Sequence, residues 1–179
     1  VKYAAASRRA LKSKCKHIGM SSLIKEQILL ASYTMYKIGG PARFFAEPKN
    51  REELREVLSF AANRALPIAV LGAGSNVLIS EKGFSGMVIR ICGGNVMIKG
   101  KRVTADAGVM MARAAIEAEK AGLTGFEWAV GIPGTIGGSV RGNAGCFGGD
   151  MKSVIERVEV FDASAASMVT LEAAHCEFS

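Results

Sequence analysis

The stretch GIPGTIGGSVRGNAGCFGG, residues 131–149, decides the fold. Eight of its nineteen residues are glycine, and each glycine loses more chain entropy on folding than another residue would. A long glycine-rich loop in a compact domain is usually either functional or disordered. Apolar residues that can anchor this loop are interspersed along it: Ile132, Ile136, Val140 and Phe147. We therefore favour a backbone that closely approaches a large planar ligand, with a floppy surface loop as the alternative.

A second glycine-rich loop, LGAGSN at residues 71–76, follows the apolar run 68–71. Glycine here lets backbone N–H groups converge on a ligand, and Ser75 and Asn76 add side-chain donors, so the loop suits a pyrophosphate. It is not a Walker loop, because no lysine follows. It is not a dinucleotide fingerprint either, because residues 77–79 predict a strand where that motif has a helix. A tight turn between two strands explains the loop equally well.

A third marker is YTMYKIGGPA, residues 33–42. Its Gly39-Gly40-Pro41 sequence predicts a sharp turn before the first strand. Lys37 lies just before that turn and can neutralise an anion. The alternative is a solvated lysine beside a structural turn, and this segment taken alone does not distinguish the two interpretations.

The remaining signals in the first half predict the order β-α-β-loop-β. Residues 43–47 predict a short strand. Asn50 then caps a helix, with Glu53 at the reciprocal capping-box position. Apolar residues follow at helical spacing, at Leu54, Val57, Leu58, Ala61 and Ala62. The later strands are predicted from apolar runs, at residues 68–71 before the loop and at residues 77–79 and 87–91 after it.

The second half predicts a hairpin, a helix and two late strands. Residues 96–98 and 102–105 flank the turn of the hairpin, and a helix over 109–121 is stopped by Gly122. Alternation at 155–161 and an apolar run at 169–171 predict the strands. The fold class indicated by the whole pattern is α+β, in two successive lobes.

The net charge of +7 is concentrated at the start of the chain. Residues 1–19 hold six basic side chains and no acid, so the remainder carries 17 basic and 16 acidic residues, a net +1. A basic arm can bind phosphate backbones. We prefer a solvated extension, because no basic stripe or aromatic stacking pattern continues into the body. The sequence thus predicts a disordered N-terminal extension over residues 1–26 and no nucleic-acid partner.

Membrane insertion and metal binding also have little support. No run of about 18 apolar residues is present, so no membrane span is expected. The four cysteines are far apart and the two histidines stand alone, at Cys15, Cys92, Cys146, Cys176, His17 and His175. We expect no metal site, and reduced thiols in a cytoplasmic protein.

Taken together, the three segments closely resemble the UDP-N-acetylenolpyruvoylglucosamine reductases, the MurB family of peptidoglycan synthesis. The resemblance runs from about Ala31 to the end of the chain, with residues 33–42, 71–78 and 122–149 as its markers. The run GFEWAVGIPG, residues 125–134, is similar to a signature of that family. Residues 1–26 are not covered.

The resemblance implies a two-lobed FAD-binding domain of the vanillyl-alcohol-oxidase/PCMH type. The first FAD-binding lobe would span residues 27–94 and the second 95–179. FAD would lie between the lobes, against a pyrophosphate cradle in the first lobe and glycine-rich backbone in the second. The implied cofactor-binding residues are Gly72, Ala73, Gly74, Ser75, Asn76, Gly131, Ile132, Pro133, Gly134, Gly137, Gly138, Asn143 and Gly145.

The resemblance also implies an activity. Enzymes of this family transfer a hydride from NADPH to FAD, and then from the flavin to the enolpyruvyl double bond of a UDP-sugar, which gives UDP-N-acetylmuramate. In such chemistry the cofactor performs the hydride transfer, while the protein supplies orientation, charge stabilisation and a proton. We expect a monomer with this UDP-sugar as the substrate of the complete enzyme.

The sequence departs from the family at its end. Family members carry a Tyr-Arg pair just after a segment like Glu177-Phe178-Ser179, and a substrate domain follows it. The second lobe is therefore expected to be incomplete and the fragment inactive alone, with no catalytic residue in this chain and those of the family beyond Ser179. Arg141 would contact a phosphate or solvent. The alternatives are a non-catalytic flavin-binding module and another oxidoreductase on the same flavin fold.

Overall fold

The computed structural model describes residues 22–163, 165 and 167–178. Its main sheet has four strands in the order β1-β2-β4-β3. These are β1 (Ile24–Leu29), β2 (Pro41–Ala46), β3 (Ile68–Leu71) and β4 (Phe84–Arg90). Strand β1 is antiparallel to β2, whereas β2 and β3 both run parallel to β4. The carboxyl ends of three parallel strands consequently meet at one edge, where α/β-type sheets usually bind ligands.

Helix α1 (Arg51–Asn63) covers one face of this sheet. Its start is fixed as predicted, because the Asn50 side chain accepts a hydrogen bond from Glu53 N at 2.8 Å. The reciprocal bond differs from the predicted capping box, because the Glu53 carboxylate accepts from Lys49 N, also at 2.8 Å, rather than from Asn50 N. The apolar stripe of the helix packs on the sheet in a cluster that includes Val57, Phe60, Ala61, Phe44, Met87 and Ile89.

The opposite face of the sheet is covered by two irregular segments. The 3-10 helix Leu30–Tyr33 buries Leu30 completely, against Phe45 and Val88 of the central strands. Residues 77–79, predicted as a strand, also lie on this face, where Val77 and Ile79 join the same cluster. They form no ladder, so that prediction is wrong. Adjacent parallel strands need a crossover connection, and these residues belong to the crossover from β3 to β4.

The first strand was missed by the pattern. β1 begins at Ile24, so residues 24–26 are paired with β2 rather than part of a disordered extension. The strand has a polar stretch in its middle, and Gln27 adopts φ +52°, which interrupts the period-2 alternation. Residues 1–21 of the predicted extension lie outside the described part of the chain.

The second half of the chain is built from hairpins and short helices. The predicted hairpin is confirmed as β5 (Val96–Lys99) and β6 (Arg102–Ala105), and the late strands as β9 (Arg157–Asp162) and β10 (Ser167–Glu172). The predicted helix is confirmed as α2 (Met111–Lys120), followed by Gly122 at φ +73°. The further elements are α3 (Ile136–Arg141), β7 (Gly145–Cys146), β8 (Gly149–Asp150) and α4 (Met151–Val154).

Helix α3 lies inside the glycine-rich stretch 131–149, where no helix was predicted. It has six residues, of which two are glycine, so it is too short for a helical pattern to register. Thr135 caps it by accepting a hydrogen bond from Gly138 N. Met111, Ala115, Ala129 and Met151 form the core beneath it.

Two contacts made by arginine side chains of α1 connect the first half of the chain to the second. Arg51 of α1 pairs with Glu159 of β9 at 3.2 Å, and the Arg55 guanidinium lies 5.9 Å from the ring of Phe161. Such exposed pairs contribute about 0–1 kcal/mol each. Within the described residues, no helix is long and apolar enough to cross a membrane, and no three metal-binding side chains are grouped.

Replacing the cap of α1 tests the local account of this fold. Asn50→Ala removes the acceptor for Glu53 N, and we expect a loss of about 1 kcal/mol in the free energy of unfolding. Asn50→Asp keeps an acceptor at the same position and serves as the matched control. Urea denaturation of the three proteins provides the measurement, and equal stability of the alanine variant would contradict the assigned cap.

Candidate cofactor site

The structure brings the three marker segments together. Gly74 O accepts a hydrogen bond from Met35 N at 3.0 Å, which joins the second loop to residues 33–42. Ser75 Oγ donates to Pro133 O at 2.8 Å, which joins the same loop to the third segment. These contacts place residues 72–76 between the other two, at the carboxyl end of β3.

Glycine is required in this central loop for packing. Gly74 is buried with φ +72°, and a Cβ atom there would collide with the carbonyl oxygen of Tyr33. A Cβ atom on Gly72 would collide with Thr135 Oγ1. Both positions are thus close approaches of backbone to protein atoms, and the predicted approach to a ligand stays a prediction.

The same loop offers free hydrogen-bond donors. In the described part of the chain, the backbone N–H groups of residues 73–76 donate no hydrogen bond to protein. Several N–H groups of one short loop, together with the Asn76 side chain, are what an anionic oxygen needs in a concave backbone site. These free donors favour a diphosphate-binding loop over a purely structural turn.

In the glycine-rich segment that faces this loop, some glycines have open space where a Cβ atom would lie and others have a close neighbour there. Gly131 and Gly138 are exposed; a Cβ atom on Gly131 would have no neighbour within 4 Å, and one on Gly138 would meet only Thr135 Oγ1 at 3.4 Å. Gly134 has φ +146°, and its Cβ would lie 3.2 Å from Ser75 Oγ. Ile132 is half-buried and the exposed Pro133 supplies the carbonyl that Ser75 binds.

Helix α3 does not contribute its first N–H groups to a ligand. Ile136 N donates to Val109 O and Gly137 N donates to Ala107 O, each at 2.8 Å. A Cβ atom on Gly137 would lie only 2.9 Å from the Cβ of Ala107. Gly137 is thus needed where α3 packs against the chain before α2, and Arg141 lies at the exposed end of the helix.

Asn143 and Gly145 have structural neighbours of their own. The Asn143 side chain accepts from Lys152 N at 2.9 Å and donates to Asp150 Oδ2 at 3.3 Å. A Cβ atom on Gly145 would lie 2.7 Å from Gly149 O across the β7–β8 pair. Hydrogen bonds from Ser153 N, and from the Ser153 and Asn143 side chains, lower the pKa of the Asp150 carboxyl. This network fixes the hairpin to α4.

A polar cluster beside the cradle was not predicted. The centroid of the Tyr33 ring lies 4.6 Å from that of the Phe45 ring, and the Arg90 guanidinium lies 5.1 Å from the Tyr33 centroid. Arg90 pairs with Glu47 at 2.6 Å. These partners are 43 positions apart and belong to no motif, so no sequence signal connects them. Lys37, the predicted anion partner, lies on an exposed turn with φ +56°.

Comparison with known proteins defines the class. A sequence family described as "FAD binding domain" matches residues 42–171, well over half of the chain. The chain therefore belongs to this family of FAD-binding domains, and the α+β flavoprotein fold predicted from the sequence is confirmed. Cholesterol oxidase from Brevibacterium sterolicum, 15% identical, shares the fold at a TM-score of 0.60 over 83% of this chain and 32% of the oxidase.

Within that class, the chain is similar to UDP-N-acetylenolpyruvoylglucosamine reductases. It is 44% identical over 131 residues to the enzyme of Caldanaerobacter subterraneus subsp. tengcongensis, covering 73% of this chain and 43% of that protein. It is 42% identical over 145 residues to a Synechococcus enzyme, covering 80% and 46%. The predicted resemblance is confirmed, and the chain spans about half the length of these relatives.

The solved reductase of Thermus caldophilus supports the same relationship. It is 35% identical and superimposes with a TM-score of 0.70, over 83% of this chain and 52% of the other. The agreement in fold is thus better with this reductase than with the oxidase.

Substitution of Gly134 tests the assigned site. Gly134→Val places a branched side chain on left-handed backbone and against Ser75 Oγ, so we expect FAD affinity to fall at least about tenfold. Gly100→Val is the matched control, because Gly100 also has positive φ, at +59°, but lies in the β5–β6 turn with open space around it.

Flavin fluorescence quenching measures the affinities, and thermal denaturation shows that both variants fold. Both should lose stability, whereas only the Gly134 variant should lose FAD. A folded Gly134→Val protein with unchanged affinity would remove Gly134 from the site.

Proposed function

We propose that this chain is the FAD-binding portion of a UDP-N-acetylmuramate dehydrogenase. The complete enzyme would use NADPH to reduce UDP-N-acetylenolpyruvoylglucosamine to UDP-N-acetylmuramate in peptidoglycan synthesis. The observation that carries the proposal is the junction of the two glycine loops through Ser75 and Pro133, with the free N–H groups of residues 73–76 beside it. Sequence identity of 40–44% to several reductases of this name supports the particular activity.

The two glycine-rich loops would contact different parts of FAD. The N–H groups of residues 73–76 and the Asn76 side chain would hold the diphosphate of FAD. Gly131 and Gly138 would let a planar ring approach, because neither carries a side chain and both are exposed. Bound FAD would supply the hydride chemistry. Ser75 would keep the two loops at a fixed separation.

The roles of Gly137, Asn143 and Gly145 are proposed at the level of backbone. Their side-chain positions face protein neighbours, so any contact with the cofactor would come from main-chain atoms. Thr135 is an addition to the predicted set of cofactor-site residues. Its buried side chain lies against Gly72 and caps α3, so it would position the two loops.

We assign no catalytic side chain to this chain. Reduction of an enolpyruvyl group needs a proton donor and positive charge near the substrate carboxylate. No contact in the described part of the chain assigns a side chain to either role. The UDP-sugar substrate, a monomeric state, a cytoplasmic location and the lack of a nucleic-acid partner are parts of the same proposal. A net charge of +1 outside residues 1–19 agrees with the last of these.

Two assays of the purified chain test this function. We expect saturable FAD binding, followed by flavin fluorescence, and no NADPH oxidation that depends on UDP-N-acetylenolpyruvoylglucosamine. The Thermus caldophilus reductase, assayed in parallel, serves as the active control.

Failure to bind FAD would overturn the cofactor function itself. Turnover by this chain alone would overturn the absence of catalytic side chains. Turnover of a different substrate, with no response to the UDP-sugar, would favour another oxidoreductase on the same fold.

A further inference from the structure

An ion pair lies at the edge of the main sheet where loop 72–76 begins. Glu47 directly follows β2 and Arg90 is the last residue of β4, so two neighbouring strands end at this pair. The Arg90 guanidinium meets the Glu47 carboxylate at 2.6 Å. In the parallel register Arg90 is the partner of Leu71, the residue before the loop. The ion pair and the loop are therefore built onto the same edge of the sheet.

Tyr33 connects the arginine with the loop. The Arg90 guanidinium lies 5.1 Å from the centroid of the Tyr33 ring. The carbonyl oxygen of Tyr33 occupies the space that a Cβ atom on Gly74 would need. One residue thus contacts both groups, so the positive charge is separated from the loop by the length of a single tyrosine. This separation is of the order of the Debye length, about 10 Å at 0.1 M salt, and the charge is therefore felt at the loop.

The fold does not use the full hydrogen-bonding capacity of this arginine. In the part of the chain that the structure describes, Arg90 Nε is buried and has no hydrogen-bond partner. Buried donors in folded proteins are nearly always satisfied, so an exception needs an explanation other than stability. An arginine that is held at the cofactor edge with an unsatisfied donor points to a use for its charge.

Glu47 opposes the charge of the arginine. The side chains of Arg90 and Glu47 are only 28% and 31% exposed, so solvent screens both charges incompletely. The Cys92 thiol lies 3.9 Å from the Glu47 oxygen that binds the guanidinium. A bound diphosphate would be attracted by the guanidinium and repelled by the carboxylate. The affinity of the loop for an anion therefore depends on the difference between the two effects.

We propose that Arg90 and Glu47 together set the electrostatic potential at loop 72–76, and thereby the affinity of this loop for the diphosphate of FAD. Arg90 strengthens the binding of the anion and Glu47 weakens it. The N–H groups of the loop would orient the phosphate oxygens, whereas the ion pair acts by charge. The inference rests on the proposed function, which places the diphosphate at this loop.

Neutralising the two residues one at a time should change FAD affinity in opposite directions. At 0.1 M salt, Arg90→Gln should weaken binding at least about threefold and Glu47→Gln should strengthen it about threefold. The double variant has the net charge of the unsubstituted chain and should bind FAD about equally well. Flavin fluorescence quenching of the full chain measures the affinities, and thermal denaturation shows whether each variant folds.

Two further measurements separate charge from packing. Arg90→Lys keeps the positive charge without the guanidinium and should retain FAD affinity within about twofold. Raising the salt to 1 M shortens the Debye length to about 3 Å, so the affinities of Arg90→Gln and Glu47→Gln should converge.

The matched controls neutralise another ion pair. Arg102 and Glu156 meet at 2.7 Å, but they connect the start of β6 to the residue before β9. Both side chains are well exposed, at 69% and 53%. Arg102→Gln and Glu156→Gln should each change FAD affinity by less than about 1.5-fold, because solvent screens exposed charges.

An ion pair that served only packing would be broken by either substitution, so weaker FAD binding by both Arg90→Gln and Glu47→Gln would overturn the inference. Unchanged affinity in both variants would overturn it too. If Glu47→Gln does not fold, Arg90→Lys decides: a loss of affinity as large as in Arg90→Gln would assign a packing role to the guanidinium. An unsubstituted chain that does not bind FAD overturns the proposed function together with this inference, whereas one that binds FAD without the opposite responses loses this inference alone.

Discussion

The contact between residues 72–76 and residues 131–135 is the constraint on which the rest of the site depends. Ser75 Oγ reaches Pro133 O at 2.8 Å, and Thr135 Oγ1 lies where a side chain on Gly72 would be. The two loops approach this closely because neither Gly72 nor Gly134 carries a Cβ. A hydrogen bond of this kind contributes only about 1 kcal/mol, so its importance is geometric: it fixes how two backbone surfaces face each other.

The atoms of loop 72–76 that pack against protein differ from those that would bind an anion in the proposed complex. The space that Cβ atoms on Gly72 and Gly74 would need is occupied by neighbouring protein atoms, whereas the N–H groups of residues 73–76 remain free to donate. The entropy lost by ordering glycine is therefore offset partly by close packing of the folded chain and, in the proposed complex with FAD, partly by the bound diphosphate. The segment 33–42 also holds this loop in place, through the hydrogen bond that Met35 N donates to Gly74 O.

Much of the local structure could be predicted from the sequence, since its causes are local. The cap at Asn50, the end of α2 before Gly122 and the β5–β6 hairpin follow from residues within a few positions of each other. The prediction of a strand over residues 77–79 was wrong, because a short apolar run that packs on a sheet has the same sequence pattern as one that forms a strand. Helix α3 was missed since two of its six residues are glycine.

The sequence by itself determined where the glycine-rich segments lie and, through resemblance, that a flavin domain is involved. Only the tertiary structure decided what each glycine meets. Gly137 and Gly145 approach Ala107 and Gly149, while Gly131 faces open space. The physical reason is that a missing Cβ permits a close approach without specifying the partner. That partner depends on chain segments as distant as the 58 positions that separate Ser75 from Pro133.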